Sequence, residues 1–488
     1  MVSSEPPSLA TAPPAPWALP PLPFASPDHP DARLQRFLEQ ASERLCAWLG
    51  SAASRSPLPG LSVLPEVEPQ RRGLDEAALL ADLQLVMDGA YNPSHPGALA
   101  HLDPPPLPAS IAADLICAGL NNNLLAEELS PSLSRLERNL AAWLARQLGL
   151  GDVSGGVAAS GGTLANLMAL VTARHRAGLG CCSEAVVLAS ADAHVSLRKA
   201  VAVMGLPATA LHAIPTARDG GMDVSQLDRA LEALRAAGTP VIAVVATAGT
   251  TVRGAVDPLE PVAALCRRHG HWLHVDGAIG AVFALSPRHR HRVAGLEQAD
   301  SITINPQKLL GITKTSSLLL LRQPGALEQA FGTGLPYMEP SWGGGHGGEW
   351  GLQGTRPADI LKLWLGLRQL GLGGIEAVLD GAIQRRRVLH ALLSSLPELE
   401  VRGGPCHLLA FTPRGLSAAE ADSWSQTTRQ QLLNHQLMLS RPLHGGRHHL
   451  KAVLGNPHTT VAELQQLHAL VAASLQGIHC RSLPSPSP

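Results

Sequence analysis

Lysine is scarce in this chain. Of its 38 basic residues, only Lys199, Lys308, Lys314, Lys362 and Lys451 are lysine. Long apolar runs are missing too: none approaches the roughly 20 residues of a membrane span, so no membrane partner is expected. The seven cysteines are odd in number and form no CxxC pair, and Cys181 and Cys182 are adjacent. That pattern argues against a disulfide framework or a zinc site, so no metal is expected, and it suits a reducing cytoplasm. A formal net charge of −1 gives no electrostatic ground for a nucleic-acid partner. A basic start is absent as well, since the first Lys or Arg is Arg33 and the residues before it are rich in Pro, Ala and Ser. A secretory signal needs a basic start and an apolar run, so this stretch is expected to be a disordered tail. The expectation is a soluble cytoplasmic protein.

What is present has a clear order. A chain of 488 residues can form two or three domains. Leu34, Phe37, Leu38, Ala41, Leu45, Trp48 and Leu49 recur at helical spacing, which predicts a helix between 27 and 51. A second helix is expected at 74–87, irregular chain at 91–108, and a long helix at 133–148. Beyond it, apolar runs at 185–189, 241–246, 272–275, 301–304 and 317–321 read as buried strands. Helices alternate with them. Asp257 with Pro258 is expected to cap one that Gly270 closes, and Asp223 to cap another that Gly238 ends. This alternation implies an α/β fold with a mostly parallel sheet covered on both faces. From about 375 a helix leads into shorter strands at 407–411, 437–440 and 450–455. Thr460 and Glu463 form a capping box for a last helix. The domain division expected is a Pro-rich tail (1–30), an N-terminal helical segment (31–110), a large domain (111–374), a small C-terminal α+β domain (375–476) and a disordered tail (477–488).

Two residues on this framework point to chemistry. Lys308 ends Ala-Asp-Ser-Ile-Thr-Ile-Asn-Pro-Gln-Lys, and Asp276 lies 308 − 276 = 32 residues earlier, at the end of His-Trp-Leu-His-Val-Asp. An acid at one strand end and a lysine just past a later strand suit pyridoxal 5'-phosphate (PLP). The amine forms a Schiff base with the cofactor aldehyde, and the acid keeps the pyridine nitrogen protonated so that the ring accepts electrons. Upstream, Ser160-Gly161-Gly162-Thr163 fits either a Gly-rich turn with a Thr cap or an anion site at a helix start. Lys308 and Asp276 downstream favour a phosphate there. His194, just past the strand at 185–189, fits a surface histidine or a ring stacked on a flat cofactor at the sheet's carboxyl edge. Thr247 to Thr251 reads as plain turn chemistry or as hydroxyls reaching that cofactor.

These segments resemble the PLP-dependent group II amino-acid decarboxylases, the family of aromatic amino acid, glutamate and diaminobutyrate decarboxylases. The likeness runs from about Asn92 to Thr460. It includes His95-Pro96, Ser130-Pro131 with Leu136-Glu137, Gly254 with Asp257-Pro258, Gly354 with Arg356, Lys362-Leu-Trp364 and Asn456-Pro457. The resemblance implies a fold-type I PLP-dependent transferase-like architecture. It also implies decarboxylation of an L-amino acid to its amine and carbon dioxide, in a homodimer with the active site at the subunit interface. On it, Lys308 is the Schiff-base lysine, Asp276 pairs with the pyridine nitrogen, Ala278 packs beneath the ring and His194 stacks above. Gly161, Gly162, Thr163 and Asn305 contact the phosphate, and Thr251 lies near the cofactor's oxygen side. Tyr337, ahead of the Gly-rich run 343–348, matches a mobile-loop tyrosine that returns a proton to the substrate carbon; the run by itself also fits a passive linker. Gln307 stands where the family usually has histidine, Gly277 where it has alanine, and Ile279 where an aromatic is common. Lys451 stands where some acidic-substrate members carry an arginine for the substrate carboxylate. These departures bear on the substrate more than on the cofactor. Lys308, Asp276 and His194 would also serve an aldehyde-lyase or aminotransferase of the same fold, and a non-catalytic homologue is the remaining alternative.

Overall fold

The computed structural model describes residues 24–60, 63–336, 338, 342 and 345–479. The chain divides into two compact units, one of residues 1–51 and 60–90 and the other of 52–59 and 91–488. In the first, α1 (Ala32–Gly50) and α2 (Glu76–Asp88) pack on each other. Asp31 caps α1 by accepting from the amides of Arg33 and Leu34, and Asp75 caps α2 through Ala78. Most of the expected tails lies outside the described residues.

The second unit opens with α3 (Pro108–Leu120) and α4 (Pro131–Gln147). A seven-stranded sheet follows: β1 (Gly155–Ala159), β2 (Val186–Ser190), β3 (Leu211–Ile214), β4 (Val241–Thr247), β5 (Trp272–Asp276), β6 (Ser301–Ile304) and β7 (Ser317–Leu321). Their spatial order is β1-β7-β6-β5-β4-β2-β3. The pairs from β3 to β6 are parallel, and β7 runs antiparallel to both β6 and β1. The α/β expectation holds. Strands β2, β4, β6 and β7 are buried along their whole length, which is why they read as unbroken apolar runs. Four helices connect strands β1 to β5, namely α5 (Gly162–Arg176), α6 (Ser196–Val203), α7 (Val224–Ala236) and α8 (Leu259–His269), and α9 (Gly325–Phe331) follows β7. Strand β1 was not expected, because it is built of small residues. At Gly156 a Cβ would lie 2.1 Å from the Leu319 carbonyl oxygen, so β1 needs glycine to approach β7.

The cap expected from Asp257 is not formed. Pro258 precedes α8 without a side-chain cap, and the buried Asp257 carboxylate instead accepts from the amides of Met222 (2.7 Å) and Thr247 (2.6 Å). It clasps two chain segments, and burial raises its carboxyl to about 6. Gly270 does close α8 in the left-handed conformation, with φ 72°.

The helix expected from 375 begins earlier. Helix α10 (Ile360–Ser394) is two helical pieces merged across Gly371. It leads to β8 (Leu399–Arg402), β9 (Leu408–Pro413), α11 (Ala418–Asn434), the hairpin of β10 (Leu443–His444) and β11 (Arg447–His448), β12 (Leu450–Val453) and α12 (Val461–His479). Strands β8, β9 and β12 form an antiparallel sheet. The strand expected at 437–440 is only two isolated bridges, Met438 to Ala98 and Ser440 to Lys451. Its leucines are buried, but its backbone partners are single residues of different segments. The Thr460 cap is present: Glu463 accepts from the Thr460 amide and hydroxyl.

Candidate active site

The ends of the parallel strands converge on one place. Asp276 ends β5, Thr247 ends β4 beside it in register, and Lys308 lies in the short turn after β6. His194 follows β2, and Gly161 precedes α5. A parallel sheet gathers such residues because every strand end on this edge opens into the same crevice.

Asp276 is buried and its carboxylate is held from two sides. One oxygen accepts from Asn166 Nδ2 at 2.9 Å, the other from the Ala278 amide at 3.2 Å. Asn166 itself is fixed by a wholly buried network. Its Oδ1 accepts from Thr303 Oγ1 (2.7 Å) and lies 3.1 Å from His274 Nε2, while its Nδ2 also reaches Ser196 Oγ at 2.9 Å. With Nε2 as the donor, His274 Nδ1 accepts from Ser301 Oγ, 2.9 Å away, which in turn accepts from Trp272 Nε1. Burial drops the His274 ring to about 4, so it is neutral, as that pattern requires.

Lys308 lies within electrostatic reach of this carboxylate. Burial holds its amine below the usual lysine range, with Asp276 pulling the other way. His194 is also held low by burial, opposed by Asp276 and reinforced by Lys308. Its Nδ1 accepts from the Ser196 amide at 3.2 Å, which leaves a neutral ring at the site. Lys308, Asp276 and His194 therefore share one electrostatic neighbourhood.

An anion cradle lies at the start of α5. Gly161 is its N-cap and no side chain caps the helix, so the first amides remain free for a ligand. A Cβ on Gly162 would meet Asn305 Nδ2 at 2.9 Å, which places Asn305 against the same turn. The Asn305 Oδ1 and Thr247 Oγ1 atoms are buried without a hydrogen-bond partner. These donors and orphaned atoms, with Lys308 and the oriented carboxylate of Asp276, fit PLP.

Lys451, on β12, adds a second cation. It is buried, and among the described residues its amine makes one hydrogen bond, a long 3.4 Å contact to the Thr251 carbonyl. No carboxylate pairs with it among the described residues, and burial together with the Lys308 charge lowers its amine to about 8. Two other lysines are paired: Lys314 with Asp103 at 2.7 Å and Lys362 with Asp359 at 2.9 Å. Gln307 Oε1 accepts from the Ser316 amide, which ties the lysine turn to the chain entering β7. Tyr337 lies outside the described residues. Thr333 and Gly334, just before it, are clasped through their amides by Glu349.

Asn166, three residues past Thr163, has no role that the sequence motif assigns. The signal was there in part: an amide residue, a weak helix former, stands inside the otherwise apolar Leu164-Ala-Asn-Leu-Met-Ala169.

Residues 61–407 match the model of the pyridoxal-dependent decarboxylase conserved domain. L-2,4-diaminobutyrate decarboxylase of Rhizobium meliloti is 34% identical over 415 residues, covering 83% of this chain and 82% of that protein. Rat cysteine sulfinic acid decarboxylase is 31% identical, covering 72% of each. The crystal structure of mouse CSAD superposes with a TM-score of 0.84 at 25% identity, covering 91% of this chain and 98% of that one.

Proposed function

Since this chain belongs to the pyridoxal-dependent decarboxylase family and is a PLP-dependent carboxy-lyase acting on an amino acid, we propose that Lys308 anchors the cofactor, with Asp276 on the pyridine nitrogen and His194 and Ala278 against its two faces. The observation that carries these roles is the Asp276 carboxylate, aimed by Asn166 and the Ala278 amide within electrostatic reach of Lys308. Bound there, the cofactor supplies the electron sink that lets the bond to the departing carboxylate break.

The protein's own groups do the rest. The lowered amine of Lys308 favours the neutral, nucleophilic form needed for covalent attachment. Gly161, Gly162, Thr163 and Asn305 hold the phosphate, and Thr251 lies at the cofactor's oxygen side. Lys451 offers an unpaired positive charge to a carboxylate of the substrate, beside the Thr251 carbonyl. Tyr337 returns the proton to the substrate carbon once carbon dioxide has left; its place 337 − 308 = 29 residues beyond the lysine, ahead of a Gly-rich run, supports that role.

Borohydride reduction followed by peptide mapping tests the anchor. The label is expected on Lys308; a label on Lys199, Lys314, Lys362 or Lys451 would overturn the assignment.

The enzyme is further proposed to be a cytoplasmic homodimer with shared active sites. Six described cysteines are free, as a reducing compartment requires. Helix α1 has no buried residue, and Leu85 and Val86 of α2 are about half exposed, so a symmetric partner would supply the missing cover. Light scattering that finds an active monomer at assay concentration would refute the dimer.

A further inference from the structure

We propose that a cavity between the turn at 286–293 and the second half of α10 binds a compact phosphate-bearing anion. The sequence places two arginine runs there, Arg288-His-Arg-His-Arg292 and Arg385-Arg-Arg387, in a chain whose net charge is −1. The fold brings both runs to one cavity of about 490 Å³, where Arg288, Arg292 and Arg387 line the wall against a single carboxylate, Asp380. That volume lies within the range of small-molecule sites.

The local charge does not balance. Asp380 is engaged by Arg288 at 2.6 Å and by His289 Nε2 at 2.7 Å, and the nearby Glu376 lies 3.6 Å from Arg288. Arg292 donates Nε to His289 Nδ1 (3.1 Å) and Nη1 to the Pro405 carbonyl (2.9 Å), both neutral acceptors. No carboxylate pairs with Arg292, Arg386 or Arg387 among the described residues, and the buried Nε of Arg386 has no partner at all. Burial and the charge of Arg387 depress Arg292, and burial and Arg292 depress Arg386. Here Arg288, Arg292 and Arg387 converge on one cavity whose only lining carboxylate, Asp380, is already engaged by Arg288 and His289, so an anion would offset the remaining positive charge. Guanidinium forks match phosphate oxygens in pairs. The convergence of both runs on one compact cavity favours a small ligand over a nucleic-acid strand, which tracks along an extended basic groove. None of these residues belongs to the proposed cofactor site, so the inference stands independently of the decarboxylase reading.

Calorimetric titration of the holoenzyme with pyrophosphate, at ionic strength held constant with sodium chloride, tests this. Saturable binding at one site per chain is expected, with a Kd below about 1 mM and no change in the cofactor's absorbance. Arg387→Ala, at an exposed position, should weaken it about tenfold or more, and Arg292→Met likewise, while Arg387→Lys should lose less. ADP serves as the second probe: tighter binding than pyrophosphate assigns a nucleotide, and weaker binding assigns the free diphosphate. No saturable heat, unchanged affinity in both alanine and methionine variants, release of the cofactor, or tighter binding of a short DNA strand would each overturn the proposal.

Discussion

Asn166→Ala tests whether Asp276 is aimed by its neighbours or merely located by its strand. The substitution removes the 2.9 Å hydrogen bond to Asp276 and the acceptor shared by Thr303 Oγ1 and His274 Nε2. Each buried donor left unmet costs about 1–3 kcal/mol, so unfolding stability should fall by about 2–5 kcal/mol. The lost bond is to an ionised acceptor, worth about 1.5–3 kcal/mol. Expressed fully in cofactor binding, that is about 10- to 150-fold in Kd, and the part already lost in the apoprotein lowers the figure. Asn166→Asp separates donor from shape, since it keeps the size but sets a second carboxylate against Asp276. It should bind PLP no better than the alanine variant. Titration of PLP into apoprotein, followed by absorbance and paired with denaturant unfolding, measures both effects. An aspartate variant that binds the cofactor as the unaltered protein does would refute the reasoning, because only packing would then matter.

Two further outcomes follow from the site. Lys451 carries its charge below about 8 and attracts a carboxylate only in that form, so kcat/KM should fall as pH rises past about 8. Lys451→Arg should move that limb to higher pH and Lys451→Met should remove it while raising KM; a pH profile identical in all three proteins would exclude Lys451 from substrate binding. For Tyr337, a phenylalanine variant should retain cofactor binding and carbon dioxide loss but slow amine formation by about 10²–10⁴-fold. Carbonyl by-products should rise in oxygen. Unchanged amine output in the same product analysis would remove Tyr337 from the mechanism.

The strands that carry the site were legible because burial on both faces makes most of their residues apolar. Val241–Thr247 and Ser317–Leu321 are buried throughout, and a run of such residues has few alternatives to a central strand. Where elements escaped notice, the cause lies in partners remote along the chain. Gly155–Ala159 has too little side chain to signal a strand, and Gly156 makes sense only against the Leu319 carbonyl. Asp257 obeyed the local rule for a cap, yet its carboxylate is claimed by amides 35 and 10 residues away. A pattern rule sees only the neighbours in sequence; the buried amides of Met222 and Thr247 offered a partner the helix start could not match.

The same division runs through the site. Asp276 and Lys308 were legible because Asp276 ends β5 and Lys308 lies in the short turn just after β6, so a short motif contains each residue and its placement. Asn166 was not, because its work is done across separations of 110 residues to Asp276, 108 to His274 and 137 to Thr303. No window of sequence holds those four together. The parallel sheet does: β5 and β6 present His274, Asp276 and Thr303 in adjacent register, with Asp276 opposite Thr303, and α5 lies across them with Asn166 facing inward. An amide is the side chain that meets both demands there. It donates to a carboxylate on one strand and accepts from a hydroxyl on the next, which neither a second acid nor a cation could do without adding charge to a buried layer. The carboxylate proposed to face the cofactor is thus written locally, and the amide that aims it is written by the fold.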